Sequence, residues 1–406
     1  MSGDDLARLA ELAVAVGANV QPGQVVGVTA EYDQHEFARA VAAAAYRRGA
    51  RFVDVWYFDP LVKRARIALA GEDTLDYVPP WYGERVLSLG RERAAVISIR
   101  GSTVPGALDG LDPARAGRDQ LPFLRESMTV INDRSVNWTV VAYPSPAWAR
   151  LCFPELSEDE ALARLWRELL HVCRLDEPDP LAAWDERLDV LARTARALDA
   201  ARFDAVHLEG PGTDLTLGLL PSSTWQMARW ETAGGIRHLP NVPTEEVFTT
   251  PDPERVDGHV RSTRPLVLAD GTVVRGIEIR FEGGRAVEIR ADEGGGVLQG
   301  RAAIDEGACR VGELALVDRE SRIGRLGTTF FETLLDENAA SHIALGAGIA
   351  FAVADEADRS RVNTSAIHID LMVGSPEVDV TGITAAGERV PVLREGAWQL
   401  PAVHEA

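Results

Sequence analysis

The 406-residue sequence contains little cysteine, and its three cysteines lie far apart. Cys152, Cys173 and Cys309 form no Cys-x-x-Cys pair, which excludes a disulfide framework and a structural thiolate zinc site. The N-terminus, residues 1–5, lacks the basic segment and apolar run of a signal peptide. Together these features predict a soluble protein of the reducing cytoplasm.

Long apolar runs are also missing, because stretches such as Val41–Tyr46 are far too short to span a bilayer. Basic residues are in deficit: 42 Lys and Arg stand against 62 Asp and Glu, giving a formal net charge of -20. A surface this acidic repels phosphates, which disfavours nucleic acid and anionic membranes as partners. The simplest interpretation of the excess acid is solubility, and a second one is the binding of divalent cations.

Several common catalytic motifs are absent as well. There is no Gly-x-Ser-x-Gly nucleophile elbow and no His-Glu-x-x-His zinc helix. The glycine-rich segment Gly210–Asp214 lacks the Gly-Lys-Ser/Thr ending that would bind a triphosphate. The chemistry of this chain must therefore come from another set of residues.

The first half of the sequence alternates helical and strand patterns. An alanine-rich helix is predicted over His35–Arg48, where Gly49 ends it, and a buried strand over Phe52–Phe58. Such alternation is typical of an open, largely parallel α/β sheet. Residues 155–200 are typical of long charged helices and predict a helical connector.

After residue 203 the strand patterns dominate. Turn sequences at Asp270-Gly271 and at residues 282–285 each separate two short strand patterns, which predicts hairpins. Because 406 residues exceed the size at which one core keeps growing, two domains are expected. We predict an α/β N-terminal domain with its connector over 1–190, and a mainly antiparallel α+β domain over 191–406.

Ala366–Val373 is the most informative segment. Because successive side chains of a strand alternate between faces, His368 and Asp370 fall together on one face. The other face is apolar and consists of Ile367, Ile369, Leu371 and Val373. Imidazole and carboxylate bind zinc, cobalt or manganese, although a plain surface His–Asp pair fits this segment equally well.

A second segment, Thr333–Leu345, brings an acid, an amide, a hydroxyl and an imidazole close together. Glu337 and His342 are five positions apart, so a regular helix would not place them on one face. They converge only if the backbone turns between them, for instance with Asn338 or Ser341 capping a helix. The alternative is a helix N-terminus with an ordinary capping cluster.

The third segment is Arg310–Val317, in which a strand would place Glu313 on the same face as Val311, Ala315 and Val317. An unpaired carboxylate on an apolar face is costly and requires a cation, hydrogen bonds or a proton. Metal binding and a salt bridge are equally consistent with this segment.

The fourth segment, Asn241–Pro251, contains the pair Glu245-Glu246 between two prolines. A rigid loop of this kind could present a carboxylate ligand. On this segment alone, a solvated acidic loop is the favoured interpretation.

Together the four segments resemble the aminopeptidase T family of metallo-aminopeptidases, which includes aminopeptidase S. The resemblance is carried by 243–249, 311–313, 336–346 and Asn363 to Asp370, in the order that the family has them. It implies removal of N-terminal residues from short peptides, two divalent ions (zinc, cobalt or magnesium) and a homodimer. The implied metal ligands are Glu246, Glu313, Glu337, His342, His368 and Asp370. Glu337 is implied either as a ligand or as a base beside the ions.

One position departs from the family pattern. The family has a catalytic tyrosine in a Gly-x-Ala-Tyr context, whereas this sequence reads Gly346-Ala347-Gly348-Ile349. Isoleucine has no hydroxyl, and loss of one oxyanion donor costs about a hundredfold to a thousandfold in rate. Two alternatives therefore accompany the aminopeptidase expectation: a metal hydrolase of another amide, and a metal-bound homologue with impaired catalysis.

Overall fold

The computed structural model describes residues 3–119, 121–122, 125–268 and 271–400. Its helices are α1 Gly3–Leu12, α2 His35–Arg47, α3 Pro60–Leu69, α4 Pro80–Arg91, α5 Pro113–Arg118, α6 Arg125–Asn132, α7 Pro146–Cys152, α8 Glu158–Val172, α9 Pro180–Ala201, α10 Gly295–Ala302, α11 Arg322–Leu326, α12 Thr333–Glu337 and α13 Glu356–Arg359. A π-helical turn, Ala13–Gly17, continues α1. Short 3₁₀ turns occupy Tyr32–Gln34, Glu72–Thr74 and Ala350–Ala352.

Strands alternate regularly with helices in the first half of the chain, and most of the strands lie in the second half. They are β1 Val25–Glu31, β2 Phe52–Phe58, β3 Ala95–Arg100, β4 Asn137–Ala142, β5 Phe203–Gly210, β6 Thr213–Leu219, β7 Gln226–Met227, β8 Trp230–Glu231, β9 Arg237–His238, β10 Asn241–Val242, β11 Glu246–Thr249, β12 Pro251–Arg261, β13 Leu266–Val267, β14 Val273–Val274, β15 Glu278–Glu282, β16 Arg285–Arg290, β17 Val311–Val317, β18 His342–Gly346, β19 His368–Met372, β20 Asp379–Thr384, β21 Arg389–Arg394 and β22 Ala397–Trp398.

The N-terminal sheet is parallel throughout, with the strand order β10-β4-β3-β1-β2. The predicted helix at His35–Arg48 and the predicted strand at Phe52–Phe58 correspond to α2 and β2. Helices connect the strands, as parallel pairing requires. The prediction of an open parallel α/β sheet is confirmed, with one addition: its edge strand β10 comes from the second half of the sequence.

Two antiparallel sheets build most of the second half. One has five strands in the order β19-β18-β17-β11-β7, and the other has eight in the order β16-β15-β12-β6-β5-β20-β21-β22. The hairpin predicted around residues 282–285 joins β15 to β16. The other predicted hairpin joins β13 to β14, and residues 269–270 of its turn lie outside the described part of the chain.

One continuous hydrophobic core joins the two halves. It includes Phe37 and Trp148 from the first half and Leu208 and Leu314 from the second, each almost completely buried. The division at residue 190 stays a prediction; that residue lies within helix α9. Among the described residues, no helix has both the length and the apolar character needed to cross a membrane.

Candidate metal centre

Five of the predicted ligands project from one face of the five-stranded antiparallel sheet. Residues directly opposite each other in an antiparallel pair share a face, as do residues two apart on one strand. The opposed pairs that define this face are Phe248–Ala315, Ala315–His342, Glu313–Ala344, Ala344–Asp370 and Gly346–His368. Glu246 shares the face because it lies two positions before Phe248. The face therefore carries Glu246, Glu313, His342, His368 and Asp370.

The strand with the paired glutamates was predicted as a loop, and that prediction is wrong. Residues 246–249 form β11, which pairs with β17 on one side and β7 on the other. Adjacent side chains of a strand point to opposite faces, so Glu245 faces away from Glu246. Glu245 is fully buried and binds Arg174 at 2.9 Å and Arg187 at 2.6 Å. The solvated acidic loop is therefore excluded.

A β-bulge corrects the prediction for the third segment. Glu313 lies opposite Ala344, whereas Val311 lies opposite Leu345, so the register shifts between them. The extra residue turns Val311 to the other face of the sheet, and only Ala315 and Val317 share the face of Glu313. Glu313 itself is buried, and its carboxylate lies 3.1 Å from Nε2 of His368 rather than against an arginine.

Glu337 and His342 converge because the backbone turns between them, as predicted. Helix α12 ends at Glu337, and β18 begins at His342. The Nδ1 of His342 lies 3.0 Å from the backbone carbonyl oxygen of Glu337, which closes the turn. The alternative, in which this cluster caps a helix N-terminus, is wrong: α12 begins at Thr333, before the cluster, and Asn338 follows its last residue.

The imidazole and carboxylate atoms of the predicted ligands form two neighbouring groups. In the first, Nε2 of His342 lies 3.2 Å from Oε2 of Glu246. In the second, Nε2 of His368 lies 3.1 Å from Glu313 and 3.4 Å from Asp370. One donor atom from each of Glu313, His368 and Asp370 lies within 4.8 Å of the others, close enough to share one cation. His368 and Asp370 thus lie on one face of their strand as predicted, while Ile367, Ile369, Leu371 and Val373 are buried.

Both imidazoles are oriented in the same way. The Nδ1 of His342 faces the carbonyl of Glu337, and the Nδ1 of His368 faces the carbonyl of Ala347 at 2.8 Å. A carbonyl only accepts hydrogen bonds, so Nδ1 must carry the proton and donate it. In the neutral imidazole, Nε2 then presents a lone pair to the carboxylates. Metal-binding histidines commonly show this arrangement, in which a second partner fixes the tautomer.

An unpartnered carboxylate oxygen tests whether the residues fit a cation. Oε2 of Glu246 is buried and accepts no hydrogen bond from any described residue. Its neighbour is Nε2 of His342, which also presents a lone pair in the neutral tautomer. Two facing lone pairs in a buried space require a proton or a cation between them. Carboxylate and imidazole donors at these positions fit a divalent metal ion.

The ionisation of these side chains reflects their crowding. Burial, together with the charges of Asp370 and Glu246, raises the pKa of Glu337 well above its ordinary value. Burial also raises the pKa of Glu313. Burial alone would lower the pKa of His342, but the Glu246 carboxylate overrides it and raises that pKa to about 9. The cavity thus retains protons that a divalent cation would displace.

Small residues leave room above the sheet between the ligands. Ala344 lies directly between Glu313 and Asp370, and Ala315 lies between Phe248 and His342. Each presents only a methyl group to this face. A larger side chain at either position would occupy the space in which the carboxylates and imidazoles converge.

Ile349 lies beside the ligand face, in a small apolar cluster with Phe248, Ala315 and Ala352. It is 5 % exposed. Its backbone N–H and carbonyl both bond the hydroxyl of Thr250, at 3.2 and 2.9 Å. The side chain contributes no polar atom to the site.

Two amides beside Glu337 were not singled out from the sequence. Asn241 Nδ2 donates to Glu337 Oε1 at 3.0 Å, and Asn338 Nδ2 donates to the same oxygen at 3.3 Å. Asn338 had been considered only as a helix cap. Asn241 gave no signal of its own, because its contact with Glu337 spans 96 positions of the sequence.

Comparison with known proteins gives consistent results. The profile of the thermophilic metalloprotease family (M29) matches residues 2–398. Aminopeptidase T of Thermus thermophilus is 45 % identical over 402 residues, covering 97 % of this chain and 98 % of that protein. Aminopeptidase PepS of Streptococcus thermophilus is 37 % identical over 406 residues, with 97 % and 98 % covered. The structure of wild-type AmpT from Thermus thermophilus superimposes with a TM-score of 0.85 at 44 % identity, covering 98 % of this chain and 99 % of that one.

Proposed function

Since this chain belongs to the thermophilic metalloprotease family (M29) and is a metallo-aminopeptidase, we propose that it removes N-terminal residues from short peptides with two divalent ions. The proposed ligands are Glu246, Glu313, Glu337, His342, His368 and Asp370. The observation that carries the proposal is the shared orientation of His342 and His368, whose Nδ1 atoms bond carbonyls while their Nε2 atoms face carboxylates.

Two ions, rather than one, account for the charge of the site. Glu246, Glu313 and Glu337, which are buried, and Asp370, which is partly buried, bring four carboxylates close together. Without cations, carboxylates packed so closely must take up protons. Two divalent ions supply four positive charges, which balance the carboxylates while both imidazoles stay neutral. The separate groups around His342 and His368 offer one position for each ion.

The chemical types of the ligand atoms are consistent with the three metals expected from the sequence: zinc, cobalt and magnesium. Mixed imidazole and carboxylate donors suit zinc or cobalt, whereas magnesium prefers oxygen and would depend mainly on the carboxylates. When bound, such a pair of ions activates water and polarises the carbonyl of the substrate.

Glu337 is proposed as the group that moves the proton. Its carboxylate is held by two amides, and the charges of Asp370 and Glu246 raise its pKa, so it borders the ligand set. A carboxylate there accepts a proton from the attacking water and delivers it to the leaving amine. Glu337 could serve in addition as a ligand of one ion.

The acidity of the cavity also supports the restriction to free N-termini. A peptide with a free α-amine carries a positive charge at neutral pH, which buried carboxylates attract. A blocked N-terminus loses that charge and adds bulk. We therefore propose that the charge of the α-amine, recognised by the acidic cavity, selects exopeptidase cleavage.

Ile349 favours a second candidate function within the enzymes. With an apolar side chain at the family tyrosine position, one hydrogen-bond donor to the developing oxyanion is missing. The chain would then be a slow aminopeptidase or a metal hydrolase of another amide. A panel of aminoacyl amides, dipeptides and blocked peptides separates these, because equal cleavage of blocked and free peptides would contradict aminopeptidase specificity.

A homodimer is proposed from the exposed edge of the N-terminal sheet. Strand β2 lies at the end of that sheet, and its residues Phe52 and Tyr57 are 56 % and 42 % exposed. Tyr32 and Tyr46 nearby in sequence are also exposed. An aromatic edge strand of this kind is a ready site for association. Light scattering should give twice the mass of one chain.

The cytoplasm is the proposed location because the cysteines are unpaired.

Metal analysis with matched variants tests the whole proposal. The purified protein should contain, or take up from cobalt or zinc, two ions per chain, and a chelator should abolish peptide cleavage. His342→Ala and Asp370→Ala should lose at least one ion and nearly all activity. His171→Ala serves as control, since the ring of that half-exposed histidine pairs with Asp176, and Arg322 donates to its backbone carbonyl. Retention of both ions in both site variants would refute the ligand assignment.

A further inference from the structure

We propose that Asn241 is a positioning residue that fixes the carboxylate of Glu337 for proton transfer, and that through it the N-terminal sheet takes part in catalysis. This inference rests on the proposed role of Glu337. It gives a role to a residue that is not a proposed metal ligand and that lies in the N-terminal sheet rather than in the five-stranded antiparallel sheet. The argument depends on two hydrogen bonds to one oxygen atom.

Asn338 establishes which oxygen of Glu337 is the acceptor. The Oδ1 of Asn338 accepts the backbone N–H of Glu245 at 2.7 Å, and its Nδ2 donates to the carbonyl of Leu334 at 2.9 Å. These two backbone partners fix the orientation of the amide, because an N–H can only donate and a carbonyl can only accept. Nδ2 therefore also faces Oε1 of Glu337 as a donor, and Oε1 is the unprotonated oxygen.

The orientation of Asn241 follows from that assignment. Its amide lies 3.0 Å from the same Oε1. An unprotonated carboxylate oxygen repels an amide oxygen, so Asn241 must present Nδ2. Two amide donors on Oε1 restrain rotation of the carboxylate.

The position of Asn241 explains how the N-terminal sheet contacts the site. Asn241 and Val242 form β10, which pairs in parallel with Val140 and Val141 of β4. Five positions after Asn241 the chain supplies Glu246 to the other sheet. A donor mounted on a paired strand is held more firmly than one on a free loop.

The chemical consequence is a loss of turnover rather than of binding. Proton transfer needs the carboxylate within hydrogen-bond reach of both water and the leaving nitrogen. A carboxylate that rotates freely spends little time in that geometry, which lowers kcat. The ions and the acidic cavity, which attract the substrate, remain in place, so KM should change little.

The matched variants are Asn241→Leu, which has nearly the shape of asparagine but no donor, and Asn241→Asp, which has that shape and a negative charge. In the cobalt-loaded enzyme we expect kcat to fall about tenfold to a hundredfold in Asn241→Leu, within the range that acid–base catalysis contributes. KM should stay within about threefold. Metal content should stay at the wild-type value. Asn241→Asp, which replaces the donor by an acceptor with a negative charge, should lower kcat at least as much.

A double variant separates positioning from a structural role. If Asn241 acts only through Glu337, adding Asn241→Leu to Glu337→Gln should cause no further loss of kcat. Asn137→Leu is the control: Asn137 is a buried amide of β4 that bonds the carbonyl of Ala18 at 2.6 Å, away from Glu337. It should lower the unfolding temperature while kcat and KM stay at their wild-type values.

The outcomes distinguish this inference from the proposed function. A further fall of kcat when Asn241→Leu is added to Glu337→Gln, or a wild-type kcat in Asn241→Leu alone, would overturn the positioning role. Wild-type kcat in Glu337→Gln would instead overturn the proposed role of Glu337 itself. A lowered kcat with wild-type metal content and KM in Asn241→Leu, and no further fall of kcat in the double variant, would support the inference.

Discussion

The Nε2 atom of His342 lies 3.2 Å from Oε2 of Glu246, a buried oxygen that accepts no hydrogen bond from the described residues. Neither atom can donate to the other when the imidazole is neutral and its proton lies on Nδ1. The pair is therefore complete only with a proton or a metal ion between them, and protons and metal ions must compete for it.

This competition predicts a steep dependence of metal binding on pH. Without an ion, Glu246 raises the pKa of His342 to about 9 in spite of burial. Below that pH an ion must displace a proton, so its apparent affinity should fall about tenfold per pH unit for each displaced proton. Titration calorimetry in two buffers of different ionisation enthalpy measures the protons released. Equal affinity at acidic and alkaline pH would contradict the assignment.

A larger residue at position 344 should exclude the metal without unfolding the protein. Ala344 lies between Glu313 and Asp370, so Ala344→Val adds two methyl groups where the ligands converge. We expect loss of bound metal and of activity with the secondary structure retained. Ile343→Val, on the opposite face, is the control and should keep its metal while losing about 1 kcal/mol of stability. Stoichiometric metal in Ala344→Val would show that the ions lie elsewhere.

The ion network behind the site should dominate the stability of the ligand-bearing strand. Glu245 bonds Arg174 and Arg187, and Arg187 also lies 3.3 Å from Asp318, all deep in the protein. Glu245→Ala removes the carboxylate that neutralises two buried guanidinium groups. We therefore expect the free energy of unfolding to fall by about 3–5 kcal/mol. Denaturant unfolding measures it.

An exposed pair provides the comparison for that variant. Arg51 and Glu92 lie 2.8 Å apart but are mostly open to solvent. Glu92→Ala should change the stability by less than about 1 kcal/mol. If both variants lost a similar free energy of unfolding, burial of the Glu245 network would make no extra contribution to stability.

A tyrosine at position 349 should raise turnover. Ile349 lies in the apolar cluster beside the ligand face, and Ile349→Tyr would restore the hydroxyl that the family pattern has there. The expected gain in kcat is about tenfold or more, with metal content unchanged. Ile349→Phe has the same ring without the hydroxyl and should show no gain. Equal rates for the two variants would exclude a missing hydroxyl as the cause of slow turnover.

Local patterns in the sequence sufficed for the main elements of the fold. The helix that begins at His35 was predictable because the periodicity of its apolar residues agrees with their burial. The strand at 52–58 was predictable from its run of aromatic and β-branched residues. Its expected burial was wrong, because the strand lies at the edge of the sheet with Phe52 and Tyr57 exposed. The two-residue strand β10 was not predictable, because its pairing with β4 joins residues about a hundred positions apart. Nothing in the residues 241–242 themselves indicates that partner.

The site was predictable where a regular strand carries it. His368 and Asp370 alternate with buried aliphatic residues, so their common face follows from the sequence. The two prolines around Glu245 and Glu246 favoured a loop, whereas tertiary pairing makes a strand of residues 246–249. The side chain of Val311 was assigned to the wrong face because a bulge is set by the partner strand and leaves no mark in the sequence.

The membership of β10 in the parallel sheet constrains how this chain can be recombined with its relatives. A chimera that exchanged residues 1–190 alone would graft a foreign sheet onto a native edge strand and a native Asn241. The incoming β4 would have to accept that strand in the same register for the amide to arrive at Glu337. A chimera that takes residues 241–242 from the same parent as residues 1–190 keeps this pairing. The N-terminal sheet must therefore be exchanged together with two residues that follow it by about a hundred positions in the sequence.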